Sequence, residues 1–381
     1  MDLKRKHSGK DLTIFSEMSA LAQQYGAVNL SQGFPDYEID IRLKELLHEA
    51  AQKNYNQYAP LAGNPLLIQN LVTFNSGRKN PLQVSENEIT ITPGATYGIY
   101  TALTAILQPG DEVIVLEPCY DSYVPSIEMN GGVPVFVSLD ENFEPDWNLL
   151  ENSISEKTRA IIINSPHNPS GKVWNREIFD QLHDLIRNTE IIIISDEVYD
   201  MLVYDDAEFY SCLHHAGLRE RTFSIFSFGK MFHITGWKIG YVIAAPKLTG
   251  AFRCVHQYLT FCVNSPAQYA LAKYIEIFDA AENRLSMQSR RDFFTELLAE
   301  TPFEITDKAQ GSYFQVAGFK NFKPDLSDKE FAVWLTKNAK VAAIPVSAFY
   351  HDEKNTGLIR FCFAKKKETV AEAMQNIKNF M

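Results

Sequence analysis

The sequence predicts an α/β protein, with a large domain built on a mostly parallel, helix-covered sheet and a smaller α+β domain. Short β-rich runs alternate with longer helical patterns from about residue 89 to about residue 245. Several of those runs are continuous Ile/Val segments, the pattern of strands buried on both faces by crossover helices. The C-terminal third reads differently, as helix, strand, helix, strand and helix in turn. In order, the expected strands are residues 89–92, 112–116, 133–138, 160–164, 191–195, 222–227 and 240–244. Between the fourth and fifth, residues 176–188 place Ile178, Leu182, Leu185 and Ile186 on one helical face. A long helical stretch then runs to about residue 299. It is followed by a strand at 311–317, a helix at 328–338, a strand at 357–364 and a last helix. The division we read is an N-terminal arm with part of the small domain over 1–40, a large domain over 41–280, and the rest of the small domain over 281–381.

Composition narrows the function. The chain has 381 residues, of which 45% are hydrophobic and 22% charged, ordinary values for a soluble globular protein. Its 47 acidic against 36 basic side chains give a net charge of −11, the wrong sign for a phosphate-backbone binder. Five widely spread cysteines without a C-x-x-C pair read as buried, reduced thiols. The basic start, Met1 to His7, is followed by no apolar segment, so we expect no secretory signal and a cytoplasmic protein. The run 191–194 is far too short to cross a bilayer. No H-E-x-x-H occurs, no metal is expected, and the pair His214-His215 reads as a solvated loop feature.

In open α/β sheets, ligands bind beyond the carboxyl ends of the strands, so the residues just after each run matter most. After 89–92 comes Pro93-Gly94-Ala95-Thr96, opening a helix whose free N–H groups suit an anion. After 112–116 comes 117–123, with Tyr120. After 160–163 comes 164–171, with Asn168. Asp196 and Tyr199 follow the isoleucine run, and Ser227 to Lys230 follow 222–226. Each feature alone is a common turn, cap or surface charge. Together they supply what pyridoxal phosphate needs: a lysine for a Schiff base, a carboxylate for the pyridine nitrogen, an aromatic for the ring and an anion site for the phosphate.

On these residues the chain resembles the fold-type-I, class I aminotransferases, most of all the methionine and kynurenine aminotransferase branch. The matching stretches are Asn29 to Asp36, Asn56-Gln57-Tyr58, Asn164 to Lys172, Asp196 to Tyr199, Ser227 to Lys230 running on to Gly240, and Ile359 to Lys365. The resemblance covers about residues 13 to 381. It implies that Lys230 carries the cofactor, that Asp196 holds the pyridine nitrogen, and that Tyr199 and Asn168 bond the phenolic oxygen. It implies further that Tyr120 stacks on the ring and that Ala95, Thr96, Ser227 and Lys238 cradle the phosphate. Arg360 would clamp the substrate α-carboxylate beside Gly33, with Phe15 walling the side-chain pocket. Tyr58, and with it Phe261, would reach in from the partner of a homodimer. The expected partners are small molecules, an L-amino acid and a 2-oxo acid, exchanged by ping-pong kinetics through pyridoxamine phosphate.

The aromatic pocket residues favour methionine, aromatic amino acids, kynurenine or glutamine over aspartate. A cysteine S-conjugate β-lyase activity, or an idle cofactor-binding homologue, is the alternative. Ser227-Phe228-Gly229-Lys230 also fits S-x-x-K, but the S-D-N and K-T-G of a serine acyl-enzyme are absent. No G-x-G-x-x-G follows the first strand, which excludes a nicotinamide dehydrogenase of the usual kind.

Overall fold

A computed structural model describes Lys6 and residues 13–380. The basic start, Lys6 aside, lies outside the described residues. Twelve strands are described: β1 (Val28–Asn29), β2 (Ile89–Thr92), β3 (Glu112–Glu117), β4 (Val133–Ser138), β5 (Thr158–Asn164), β6 (Ile192–Asp196), β7 (Thr222–Ser227), β8 (Gly240–Ala244), β9 (Phe314–Gly318), β10 (Val341–Ala342), β11 (Ile344–Pro345) and β12 (Leu358–Cys362).

Seven of them form one sheet in the order β2-β8-β7-β6-β5-β3-β4. The pairs among β3, β4, β5, β6 and β7 are parallel, as the buried Ile/Val runs suggest. Strand β8 is antiparallel to both neighbours, β7 and β2. The reason is the short link over residues 228–239, which holds only the helical turns Phe228–Met231 and Thr235–Trp237. A parallel return needs a longer crossover.

Period-two alternation sends successive side chains to opposite faces. Ile114, Leu116, Ile161, Ile163 and Ile193 pack under Trp174, Phe179 and Leu182 on one face. Val113, Val115, Ile162, Ile194 and Ile225 pack on the other against Ile99, Ala102 and Leu103 of the helix Ala95–Ile106. The helix Arg176–Ile186 buries Ile178, Phe179, Leu182 and Ile186, with Leu185 at the edge of the stripe. Its N-cap Asn175 accepts from the Ile178 N–H at 3.1 Å, which starts it cleanly.

Leu43, Leu67, Leu71 and Ile91 pack with Phe226, Tyr241, Ala270 and Leu271 in a further cluster, and a separate core gathers the two smaller sheets. β11, β12 and β9 form an antiparallel sheet, and β1 pairs parallel with β10, Val28 opposite Val341. The helix Ile14–Tyr25, stopped by Gly26 in the left-handed conformation, lies on this core through Met18. Residues near the N-terminus thus pack with the last third of the chain.

Differences from the sequence reading are local. The long helical stretch is three helices, Pro246–Leu259, Ser265–Ile275 and Ala280–Leu298, because Asn264 and Asp279 each cap a new start. Helices at Ile14–Tyr25, Ile41–Gln52 and Pro65–Ser76 went unread. Of the cysteines, Cys254 is exposed and Cys262 half-buried, so the expectation of buried thiols holds only for Cys119, Cys212 and Cys362. His214 and His215 cap short helical turns instead of lying in an open loop. Among the described residues no helix is long and apolar enough to cross a membrane, and no group of side chains is arranged to hold a metal ion.

One glycine ties the two cores together. Gly171 has φ of +76°, and its carbonyl accepts from the N–H groups of Gln310 and Gly311. A Cβ there would stand 2.7 Å from the Ala309 Cβ and 2.9 Å from the Gly311 oxygen. Gly171→Ala is therefore expected to cost about 2–3 kcal/mol of stability, read as a lowered denaturant midpoint. An unchanged midpoint would contradict this packing.

Candidate active site

The carboxyl ends of β2, β3, β5, β6 and β7 converge on one cavity of about 790 Å³, which also reaches β12 and the helix Ile14–Tyr25. Lys230 sits on the helical turn that follows β7. Its Nζ donates to the Gly33 carbonyl at 2.9 Å and lies 5.5 Å from the ring centres of both Tyr199 and Tyr313. The Tyr313 hydroxyl donates to the Lys230 carbonyl at 2.7 Å, fixing the backbone from which the amine projects. Burial lowers the Lys230 amine to about 8; Arg360 and Lys238 push the same way, while Cys362 and Asp196 oppose them.

Asp196 ends β6 and is buried. Burial raises its carboxyl to about 6, against the hydroxyl of Tyr123, which donates to Oδ2 at 2.6 Å. The end of β5 is knitted to β6 by Asn164, whose Nδ2 donates to the Asp196 carbonyl and whose Oδ1 accepts from the Asn168 N–H, both at 2.8 Å. The Asn168 Oδ1 in turn accepts from Arg360 Nη1 at 2.8 Å.

Arg360, on β12, is 1% exposed. Its Nη2 donates to the Ser31 carbonyl at 2.8 Å, and its guanidinium lies 3.9 Å from the Phe314 ring centre. Phe349 and Phe15 flank it at 5.0 and 5.2 Å. Burial lowers it to about 10, so it remains a cation at neutral pH. Gly33 has no room for a side chain: a Cβ would fall 2.7 Å from the Phe314 ring and 3.9 Å from Lys230 Nζ.

At the β2 end, Gly94 takes φ of +88° and no side chain caps the helix Ala95–Ile106. Lys238, in the left-handed conformation, lies against that start: a Cβ on Gly94 would meet its Cε at 3.4 Å. Ala95, Thr96, Ser227 and Lys238 line this end of the cavity together. An uncapped helix N-terminus beside an ammonium and a hydroxyl is a site for an anion. Tyr120 lines the wall above, linked to Thr96, and burial raises its phenol.

Tyr58 and Phe261 are not brought to this cavity. They pack against each other edge-to-face at 5.5 Å on the outside of the chain, 81% and 43% exposed. The sequence reading missed Tyr123, Tyr313 and Phe314. Tyr123 stood in the strand-end run 117–123, one helical turn after Tyr120, and the signal was there to be used.

The sequence profile of the family described as "Aminotransferase class I and II" matches residues 25–377. The chain is 41% identical to a methionine aminotransferase of Escherichia coli, over 96% of this chain and 95% of that one. The chain belongs to the class I and II aminotransferases. It is 36% identical to the human kynurenine–oxoglutarate transaminase 3, over 98% of this chain and 89% of that one. Among solved structures, the E. coli methionine aminotransferase superposes on this aminotransferase with a TM-score of 0.94 at 40% identity, covering both chains fully. The N-succinyldiaminopimelate aminotransferase of Mycobacterium tuberculosis gives 0.93 at 34% identity, again covering both fully.

Enzymes of this family generally depend on pyridoxal phosphate. The donor set of the aminotransferase fits that group: an uncapped helix start with Lys238 for a phosphate, a buried carboxylate for a ring nitrogen, an aromatic wall, and a buried amine opposite.

Proposed function

We propose that the aminotransferase binds pyridoxal phosphate through Lys230 and moves the amino group of methionine and of aromatic amino acids, kynurenine included, to a 2-oxo acid. The observation that carries this is the convergence of Lys230, Asp196, Tyr120 and the uncapped helix start on the cavity that also holds Arg360. When bound, the cofactor serves as an electron sink and carries the amino group from donor to acceptor. The protein's own part is positional and acid–base. Asp196 holds a proton on the ring nitrogen; Tyr199 and Asn168 bond the phenolic oxygen. Arg360 fixes the substrate α-carboxylate beside Gly33, its plane set by Asn168, Ser31 and Phe314. The Lys230 Nζ, desolvated and close to neutral poise, takes the proton from the substrate Cα and returns it during transfer.

The substrate side chain meets Phe15, Tyr97, Tyr100 and Met129 on the cavity wall. Among the described residues Lys230, Lys238 and Arg360 are its cations, all three with a task already, which leaves none of them for a distal carboxylate. Asp121 adds a negative charge to the same space, raised by burial and offset by Arg360. This favours neutral side chains through repulsion of acidic ones. Asp121→Asn is expected to raise kcat/KM for aspartate relative to methionine about tenfold; an unchanged ratio would remove Asp121 from the account.

The relatives are named as transaminases, which favours transamination over β-elimination or an idle site. We take residues 41–280 as the cofactor-binding domain and residues 1–40 with 281–381 as the smaller one, a reading supported by the separate cores. We take the active unit as a homodimer, supported by the outward-facing pair Tyr58 and Phe261. Tyr58 and Phe261 would complete the partner's pocket. Among the described residues no helix is long and apolar enough to cross a membrane; we take the partners as small molecules and the setting as cytoplasmic. Steady-state kinetics with methionine and a 2-oxo acid test the function: parallel double-reciprocal lines are expected, and intersecting lines would contradict it.

A further inference from the structure

We propose that Tyr123 is a positioning residue for the cofactor, its hydroxyl holding Asp196 ionised and oriented while its ring braces Tyr120. The inference rests on the pyridoxal-phosphate reading and assigns Tyr123 a task within it. Tyr123 and Asp196 are 2% and 5% exposed, and a 2.6 Å bond joins them. The only other bond to that carboxylate among the described residues is a long one, from the Val198 N–H at 3.4 Å. A buried carboxylate with one long backbone donor tends to take up a proton, and a protonated acid cannot pair with a pyridinium.

The same side chain reaches the aromatic wall. Tyr123 opens the helix Tyr123–Met129, and its N–H donates to the Tyr120 carbonyl at 3.2 Å. The two rings meet edge-to-face, with centroids 5.7 Å apart. The turn carrying both is tied to the other core by the Cys119 N–H, which donates to the Phe349 carbonyl at 2.8 Å. One tyrosine therefore links the carboxylate for the ring nitrogen to the aromatic for the ring face. The other titratable groups facing Asp196 are Lys230, which favours its ionised form, and the phenols of Tyr120 and Tyr199, which are neutral at working pH. Tyr123 is thus the one side-chain hydroxyl bonded to Asp196 among the described residues, and the closer of its two neutral donors.

The test is Tyr123→Phe, which keeps the ring and its packing and removes a single hydroxyl. Pyridoxal phosphate is titrated into wild-type and variant apoprotein by absorbance between pH 5 and 8, with a denaturation curve as the structural control. The expected result is about tenfold weaker binding near neutral pH, with the acid-side midpoint of binding moved up by about one unit. In an Asp196→Asn background the same change is expected to add no further loss. Equal affinity and an unmoved midpoint in Tyr123→Phe, or losses that simply add in the double variant, would overturn the role. Tyr123→His, which restores a ring donor, is expected to recover part of the affinity if Phe lowers stability as well; no recovery would also overturn it. Wild-type protein that takes up no cofactor would overturn the cofactor reading itself, a failure separate from an unmoved variant.

Discussion

Lys230→Ala is expected to abolish multiple turnover, a loss of more than about 10⁴-fold in kcat, while the denaturation curve stays close to wild type. Its amine makes one hydrogen bond to the Gly33 carbonyl and otherwise faces rings and the cavity, so the fold gives up little when it goes. The chemistry gives up both the anchor for the cofactor and the group that moves the Cα proton. The pH dependence follows from the buried amine. A lysine held at about 8 is protonated below that value and unable to attack an aldehyde. The rate at which apoprotein captures pyridoxal phosphate should therefore rise with pH through about 8 and level off above it. A capture rate that climbs only near the ordinary lysine range would mean that Nζ is exposed to water.

Arg360→Lys is expected to lower kcat/KM for methionine by about 100-fold, mostly through KM. The guanidinium is locked by Asn168 and Ser31 on one edge and by the Phe314 ring on its face. An ammonium keeps the charge but cannot keep two fixed bonds and still present a planar edge to a carboxylate. Binding of the cofactor alone should change far less, and only through the Asn168 amide that Arg360 Nη1 orients. A variant with wild-type KM would place the α-carboxylate elsewhere in the cavity.

The parts of this site that were legible in the sequence are those where a strand ends. An Ile/Val run stops at a definable residue, and the polar group that follows must face the crevice, so Lys230, Asp196, Asn168 and Ala95 could be named in advance. Parallel pairing of β3, β5, β6 and β7 followed from the same runs. What escaped was set by contacts between distant segments. Nothing local says that Tyr123, after β3, bonds Asp196, after β6, or that Phe314 on β9 lies over Arg360 on β12. The antiparallel turn of β8 escaped because it depends on the length of the 228–239 link, which periodicity does not weigh. Tyr58 carried a motif and Phe261 did not; both were expected to act from a partner subunit, and in a single chain they pack together facing outward.

The central claim is that Lys230, in this cavity, bonds pyridoxal phosphate and that the bound cofactor accepts an amino group from methionine. The most direct measurement is the absorption spectrum of the purified protein with pyridoxal phosphate, repeated after adding L-methionine with no 2-oxo acid present. We expect the band of lysine-bound cofactor to form and then give way to the spectrum of the cofactor's amine form. If no lysine-bound band forms at any pH above 8, the claim is wrong.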